Sequence, residues 1–334
     1  MATISDVAAK AGLSTATVSR ALNGVTTVDP ALAARVFQAA EELGYQLNGP
    51  ARNLRRQQTA VIALIISDVE IPFFTSIARG VEDIAQADGY SVVLCNSDED
   101  ADKERRYLDV AIQERVAGVV ISPTGAPAPV DALRRRGTPV VAVDRPLADR
   151  DSVLVDSREA ARMAVEHLLA QGYAGIGCLT GPAGVLTADE RLAGYHDALR
   201  AAKQRAGGRF VRRTAYRASG AHEATVDLFS GAETPDALLV ANSAMAIGTL
   251  EALADLRLRP GRDVGVVAFD DVPWASLVAP PLSVVAQPAY EIGVAAARLL
   301  LARIADNDRP ASTTTLQASL IERASSTRDS APPR

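Results

Sequence analysis

Arg20 stands in a short polar run with Ser14, Thr15, Thr17, Ser19 and Asn23, and those residue types suit contact with nucleic acid. A guanidinium bonds guanine O6 and N7 together and so reads a base. The short side chains of Ser14, Thr17, Ser19 and Asn23 suit phosphate oxygens, which fix position without reading sequence. Farther along, Arg191 lies in TADERLAGY (187–195), a helical stretch that otherwise packs inward. An inward guanidinium needs a partner, and a bound polar ligand would provide one. Asp270 follows an apolar, strand-like run in FDD (269–271).

Catalysis finds no such support. His167, His196 and His222 sit in helical stretches without a neighbouring pattern that would form a triad or a metal site. Cys95 and Cys178 lie in apolar, strand-like contexts with no CxxC or Cys/His cluster, and read as core residues of a reducing compartment. Gly175, Gly177 and Gly181 have the wrong spacing for a dinucleotide fingerprint, and no helix opens at once, so they read as strand plus turn. No cofactor, no metal and no enzymatic activity are expected.

The elements that must position Arg20 are two short helices. Thr3 and Asp6 form a capping-box pattern, with Ile4, Val7, Ala8 and Ala11 at helical spacing. Gly12 ends that helix, and Ser14 caps a second one running to about Leu22 with Val18 and Leu22 inward. This is helix-turn-helix grammar, in which the second helix enters the major groove, although an ordinary αα-hairpin fits the same pattern. Asp29-Pro30 starts a third helix with Leu32, Val36, Ala40 and Leu43 as its buried stripe and Gly44 as its stop. Asn48-Gly49-Pro50 then breaks the chain ahead of a basic segment at 51–56.

The 334 residues suffice for two or three compact units, and 48% hydrophobic with 22% charged residues is ordinary globular composition. The net charge of −5 conceals an asymmetry: residues 1–58 carry +2 and the rest −7. A small basic head on an acidic body suits focused phosphate contact. Nothing resembles a signal peptide and no apolar run is long enough to cross a bilayer, so a cytoplasmic protein without a membrane partner is expected.

From Ala60 onward strands alternate with helices. Residues 60–66, 91–95, 118–122 and 139–143 read as short apolar strands, with helices near 75–87, 101–114 and 130–136. A second round follows, with strands at 174–179, 237–240 and 264–269 and helices near 159–169, 190–202, 221–229 and 244–254. Two rounds imply two similar subdomains, each a doubly wound parallel sheet with helices on both faces.

The run VAAKAGLSTATVSRALNG (7–24) resembles the DNA-binding head of the lactose repressor and galactose repressor family of bacterial transcription regulators. That resemblance implies an all-α helix-turn-helix domain over 1–48, in which Thr15 and Ala16 face base edges beside Arg20. It implies a hinge helix and linker over 49–58, where Ala51 and Leu54 enter the minor groove and Leu54 wedges a base step apart. A basic stretch between domains also fits a solvated linker, and Gly49-Pro50 departs from the usual family wording.

The rest of the chain resembles the family's α/β sensor, similar to periplasmic sugar-binding proteins, over 60–323. Its first lobe would hold 60–157 and 287–318, its second 158–286 and 319–323, with an effector between them at the carboxyl ends of strands. IPFF (71–74) after Asp68 matches a motif whose aromatic pair, here Phe73 and Phe74, borders the ligand; the two also fit plain core at a helix start. Thr187 aligns with a polar cleft position, Arg191 with an arginine that reaches the effector, and Asp270 with an aspartate that accepts its hydrogen bonds. Asn242 matches another cleft position, although Ser243 stands where an aspartate usually follows. Tyr216 would fill an aromatic position, and Arg145 would reach in from the first lobe.

A carboxylate and a guanidinium between aromatic walls are the chemistry of a sugar site. The expected protein is therefore a homodimeric repressor of a pseudo-palindromic DNA operator, controlled by a small carbohydrate-like effector. The residues 324–334 read as a disordered tail, with no leucine heptad for a higher oligomer. A solute-binding protein of transport would carry a secretion signal where this chain has its helix pair, and an α/β enzyme would need a catalytic constellation.

Overall fold

The structure, a computed structural model, describes residues 2–22, 28–45, 59–125, 130–204 and 208–328. The chain divides into two compact units, Met1–Thr59 and Ala60–Arg334.

The first unit is built on three helices, α1 (Ile4–Ala11), α2 (Thr15–Leu22) and α3 (Pro30–Glu42). Each start is written in the sequence. The Thr3 amide donates to Asp6 Oδ2 at 2.7 Å and the Asp6 amide to Thr3 Oγ1 at 3.3 Å, which completes the capping box. Ser14 Oγ accepts from the Thr17 amide at 3.1 Å, and Asp29 Oδ1 accepts from the Ala31 amide at 2.8 Å with Pro30 opening the helix. Gly12 has φ +64°, the left-handed conformation that ends α1, and Arg35 of α3 donates to the Ala11 carbonyl orphaned there. Val7, Ala8, Ala11, Val18, Ala21, Leu22, Val36, Ala39 and Ala40 form the core. Leu32 and Leu43 are only half-buried, and Ala39 takes the inner place on α3.

The second unit holds two six-stranded sheets. The first has the order β11-β5-β4-β3-β1-β2, from β1 (Val61–Ile66), β2 (Ser91–Asn96), β3 (Gly118–Ile121), β4 (Val140–Val143), β5 (Asp151–Val155) and β11 (Thr313–Leu316). The second has the order β12-β10-β9-β8-β6-β7, from β6 (Ile176–Thr180), β7 (Val211–Arg213), β8 (Ala237–Val240), β9 (Gly265–Phe269), β10 (Ser283–Ala286) and β12 (Ser319–Ile321). All neighbours run parallel except β12, which is antiparallel to β10.

Helices α4 (Pro72–Ala87) and α11 (Ala289–Ala305) cover one face of the first sheet; α5 (Ala101–Gln113) and α6 (Val130–Arg135) cover the other. The second sheet lies between the pair α7 (Ser157–Ala170) and α8 (Leu186–Ala201) and the pair α9 (Ala218–Phe229) and α10 (Ser243–Asp255). Two covered faces explain why β1 reads VIALII, a continuous apolar run without alternation. The chain passes between the sheets after β5, after β10 and after β11. Strand order reverses between β1 and β3 and again between β6 and β8, which makes the carboxyl ends there the natural ligand crevice.

Helices α4, α8 and α9 begin about one turn earlier than periodicity suggests, so Phe73, Phe74 and Thr187 lie inside first turns. The tail is not disordered from Ala324. Ser325 and Ser326 are fully buried: Ser325 Oγ donates to the Val266 carbonyl at 2.7 Å, and Ser326 Oγ lies 2.7 Å from both His167 Nε2 and Ser283 Oγ. Polar composition suggested solvation, but these hydroxyls satisfy backbone and side-chain groups around β9 and β10. Residues 329–334 lie outside the described residues. Among the described residues no helix is long and apolar enough to cross a membrane.

Candidate functional site

In the first unit, α2 presents Thr15, Ala16 and Arg20 to solvent while Val18, Ala21 and Leu22 face the core. Ala16 and Arg20 are four residues apart and share a face, and Arg20 Nε donates to the Ala16 carbonyl at 3.3 Å. Thr17 and Ser19 are half-buried, and Ser14 Oγ lies 2.9 Å from Thr17 Oγ1 at the helix start. Asn23, Ala51 and Leu54 lie outside the described residues.

In the second unit a cavity of about 320 Å³ opens at the facing carboxyl ends of the two sheets. Phe73, Phe74, Arg145, Thr187, Arg191, Tyr216, Asn242 and Asp270 all line it, so residues spread over two hundred positions meet at one place. Phe73 and Phe74 pack edge to face with centroids 5.1 Å apart, bordering the cavity while belonging to the first lobe's core. Tyr216 lies against the backbone of Gly181 just after β6; a Cβ there would stand 2.2 Å from the Tyr216 ring.

Arg191 is buried on α8, with its guanidinium 4.1 Å over the Phe269 ring. Its Nη1 donates to the Ala241 carbonyl and its Nη2 to Gln287 Oε1 at 3.3 Å. Gln287 Nε2 in turn donates to Asp270 Oδ1 at 2.7 Å, and the Ser243 amide donates to Asp270 Oδ2 at 3.2 Å. Asn242 caps α10 through its Oδ1, 2.8 Å from the Met245 amide, which leaves its NH2 as the group a ligand can meet. Across the cleft, Arg145 is forked onto Glu99 at 2.8 and 2.6 Å and donates to the Pro123 carbonyl at 3.1 Å.

Four buried side-chain atoms on the cavity wall have no hydrogen-bond partner among the described residues: Thr124 Oγ1, Arg145 Nε, Arg191 Nε and the Tyr216 hydroxyl. Ser243 Oγ, beside Asp270, is a fifth. Arg145 Nε stands 3.4 Å from Asp144 Oδ2, and the Tyr216 hydroxyl faces Thr187 without completing a bond. Each such group is worth about 1–3 kcal/mol if a ligand satisfies it. Burial raises the Asp144 carboxyl above its ordinary range against the pull of Arg145, and burial likewise raises the Tyr216 phenol, keeping it a neutral donor. Burial works against the charge of Arg145, but the Glu99 hydrogen bonds and the Asp144 charge outweigh it and hold the guanidinium ionised.

Residues 3–48 match the description of the bacterial regulatory proteins of the lacI family, and residues 165–326 match a periplasmic binding protein-like domain. The chain is 35% identical over 305 residues to the ribose operon repressor of Halalkalibacterium halodurans, covering 91% of each chain. The chain belongs to the lacI family of bacterial regulatory proteins. It is also 30% identical over 331 residues to the HTH-type transcriptional repressor PurR of Aliivibrio fischeri, covering 97% of this chain and 98% of that one. Among solved structures, the Lac repressor dimer bound to operator and the anti-inducer ONPF superposes with a TM-score of 0.87 at 27% identity, covering 98% and 99% of the two chains.

Several residues of this lacI family cleft escaped sequence reasoning: Asp68, Glu99, Thr124, Asp144, Arg217 and Gln287 also line the cavity. Asp144 had a signal. VAVD (141–144) and VAFD (267–270) share three of four residues at the ends of β4 and β9, so the aspartate of one predicts that of the other. Gln287 had none, since its role comes from lying at a crossover between lobes.

Proposed function

We propose that this lacI family member is a homodimeric repressor that binds a pseudo-palindromic operator and releases or grips it according to a small neutral sugar in the interlobe cleft, with a pentose such as ribose as the best fit. The observation that carries the sugar reading is the convergence of unpaired buried atoms on one cavity that also has aromatic walls. Hydroxyls supply donors and acceptors in pairs, which is what Asp270, Asn242, Arg191 and Thr124 need, and Phe73 and Tyr216 cover ring faces. The volume, at the small end for ligand pockets, suits a single ring.

Charge argues against a phosphorylated sugar. The wall carries Asp68, Asp98, Glu99, Asp144 and Asp270 against Arg145, Arg191 and Arg217, and the terminal nitrogens of Arg145 and Arg191 are already engaged. The ribose operon repressors among its relatives bear the same reading.

On DNA, Thr15, Ala16 and Arg20 read base edges, while Ser14, Thr17, Ser19 and Asn23 hold phosphates. Ala51 and Leu54 of the hinge occupy the minor groove. One head of charge +2 makes too few phosphate contacts to bind tightly, so a second copy is required. Exposed apolar residues supply faces for it: Val93 and Leu94 on the edge strand β2, and Ile247 and Leu277 on the second lobe, with Leu277 81% exposed. Such a regulator works in the cytoplasm without chemistry of its own.

Calorimetric titration of D-ribose, ribose 5-phosphate and hypoxanthine into the full-length protein tests the effector reading. Ribose binds and the other two do not; tighter binding of the phosphate ester or the nucleobase overturns it.

A further inference from the structure

Arg217 lies between β7 and α9 in the second lobe, next to Tyr216, and its side chain crosses the mouth of the cavity. Its Nη1 donates to Asp68 Oδ2 at 2.5 Å and stands 3.3 Å from Glu70 Oε2, both at the carboxyl end of β1 in the first lobe. The Arg217 charge also helps hold the Asp98 carboxyl below its ordinary range, after the larger effect of the Lys103 hydrogen bond. One cation of the second lobe therefore sits among three carboxylates of the first, whereas pairs such as Arg145 with Glu99 and Arg213 with Asp189 stay within one lobe. The other Asp68 oxygen accepts from the Glu70 amide at 2.9 Å, which aims the carboxylate at the cleft mouth. The side chain of Asp68 is 7% exposed and that of Arg217 47%, so the acceptor is fixed in the first lobe while the donor can swing away. As N-cap of α9, Arg217 makes no side-chain capping bond that would tie it to its own lobe.

We propose that Arg217 is a charge latch that fastens the two lobes across the cleft mouth and sets how long an effector stays enclosed. Removing it leaves Asp68 and Glu70 facing the second lobe without a counter-charge, while Asp98 keeps Lys103, and the lobes part more often. Because Arg217 is half exposed, the effect is that of a partly screened ion pair, about threefold to fivefold. Its effect on sugar release rests on the effector reading above; the latch itself does not.

The test is amide hydrogen exchange on the ligand-free, full-length protein, comparing wild type, Arg217→Gln and Arg217→Lys in low and high salt. At low salt the glutamine variant exchanges about 3–5-fold faster in residues 68–74 and 214–218, and the lysine variant stays near wild type. About 1 M NaCl, where screening acts within about 3 Å, brings wild type to the rate of the glutamine variant. Equal exchange in wild type and Arg217→Gln at low salt, or like behaviour of the glutamine and lysine variants, overturns the latch. Stopped-flow release of D-ribose then adds its function: about 3–5-fold faster from Arg217→Gln, with an unchanged rate counting against the proposal. If wild type binds no ribose, the sugar reading falls while hydrogen exchange still decides the latch.

Discussion

Asp144 and Asp270 hold equivalent places in the two lobes: each is the first residue after its strand, β4 or β9, in the same position of its sheet order. Both take left-handed backbone, φ +66° and +77°, and both line the one cavity. Left-handed φ is uncommon for a residue with a side chain, and here it accompanies a carboxylate from each sheet on the wall of the same cavity. Asparagine tolerates the same backbone, so Asp270→Asn and Asp144→Asn keep the fold and remove the anionic acceptor. Each variant is expected to lose about 10- to 150-fold in ribose affinity by calorimetry, the range for a hydrogen bond to a charged group.

Gly181 is the support on which Tyr216 rests. A methyl group there meets the Tyr216 ring carbon at 2.2 Å and its hydroxyl at 2.5 Å, so Gly181→Ala displaces the ring from the cavity wall. Ribose affinity is expected to fall about tenfold with denaturation barely changed, because a side chain moves and the sheet does not. A variant with wild-type affinity would show that Tyr216 is no part of the ligand wall.

His167 ties the carboxyl-terminal segment to the second lobe through Ser326, and burial lowers its pKa from the usual 6.5 against the opposing charge of Glu322. His196 is shifted the same way, first by burial. A histidine with a depressed folded pKa stabilises the fold above its unfolded pKa and loses that contribution as pH falls through the folded value. Urea midpoints are therefore expected to drop between about pH 7.5 and 5.5, in a window where carboxylates of ordinary pKa barely titrate. His167→Asn should flatten part of that slope; an identical slope in the variant would place the titration elsewhere.

Arg20 is exposed on α2 on the same face as Ala16. Arg20→Ala is expected to cost about 1–3 kcal/mol and to relax preference at one operator position, as a selection from random-sequence DNA would reveal. A uniform loss across all sequences would make Arg20 a phosphate contact.

Much of this was readable from the chain. The caps at Thr3, Ser14 and Asp29 are local chemistry, so the head could be drawn residue by residue. The buried strands β1, β3 and β8 are continuous apolar runs and show themselves directly. The edge strands β7, β11 and β12 do not, because exposed or half-buried runs such as TTTL carry neither apolar run nor clear alternation. In the cleft, Arg191 and Asp270 were legible through motifs, whereas Glu99, Arg217 and Gln287 matter only through partners 46, 149 and 17 residues away. Distance of that kind leaves no mark on local sequence. The buried serines at 325 and 326 mislead for a related reason, since a hydroxyl reads as solvated until its acceptor is known.

In the proposed function, occupancy of the cleft sets the affinity of the recognition helices for DNA. This is tested most directly by fluorescence anisotropy on a pseudo-palindromic site selected by the protein itself, with and without D-ribose at a concentration that saturates the cleft. Operator affinity is expected to change about 5- to 150-fold, with no change in Asp270→Asn at the same ribose concentration. Operator affinity that stays the same while ribose occupies the wild-type cleft would contradict the proposed function.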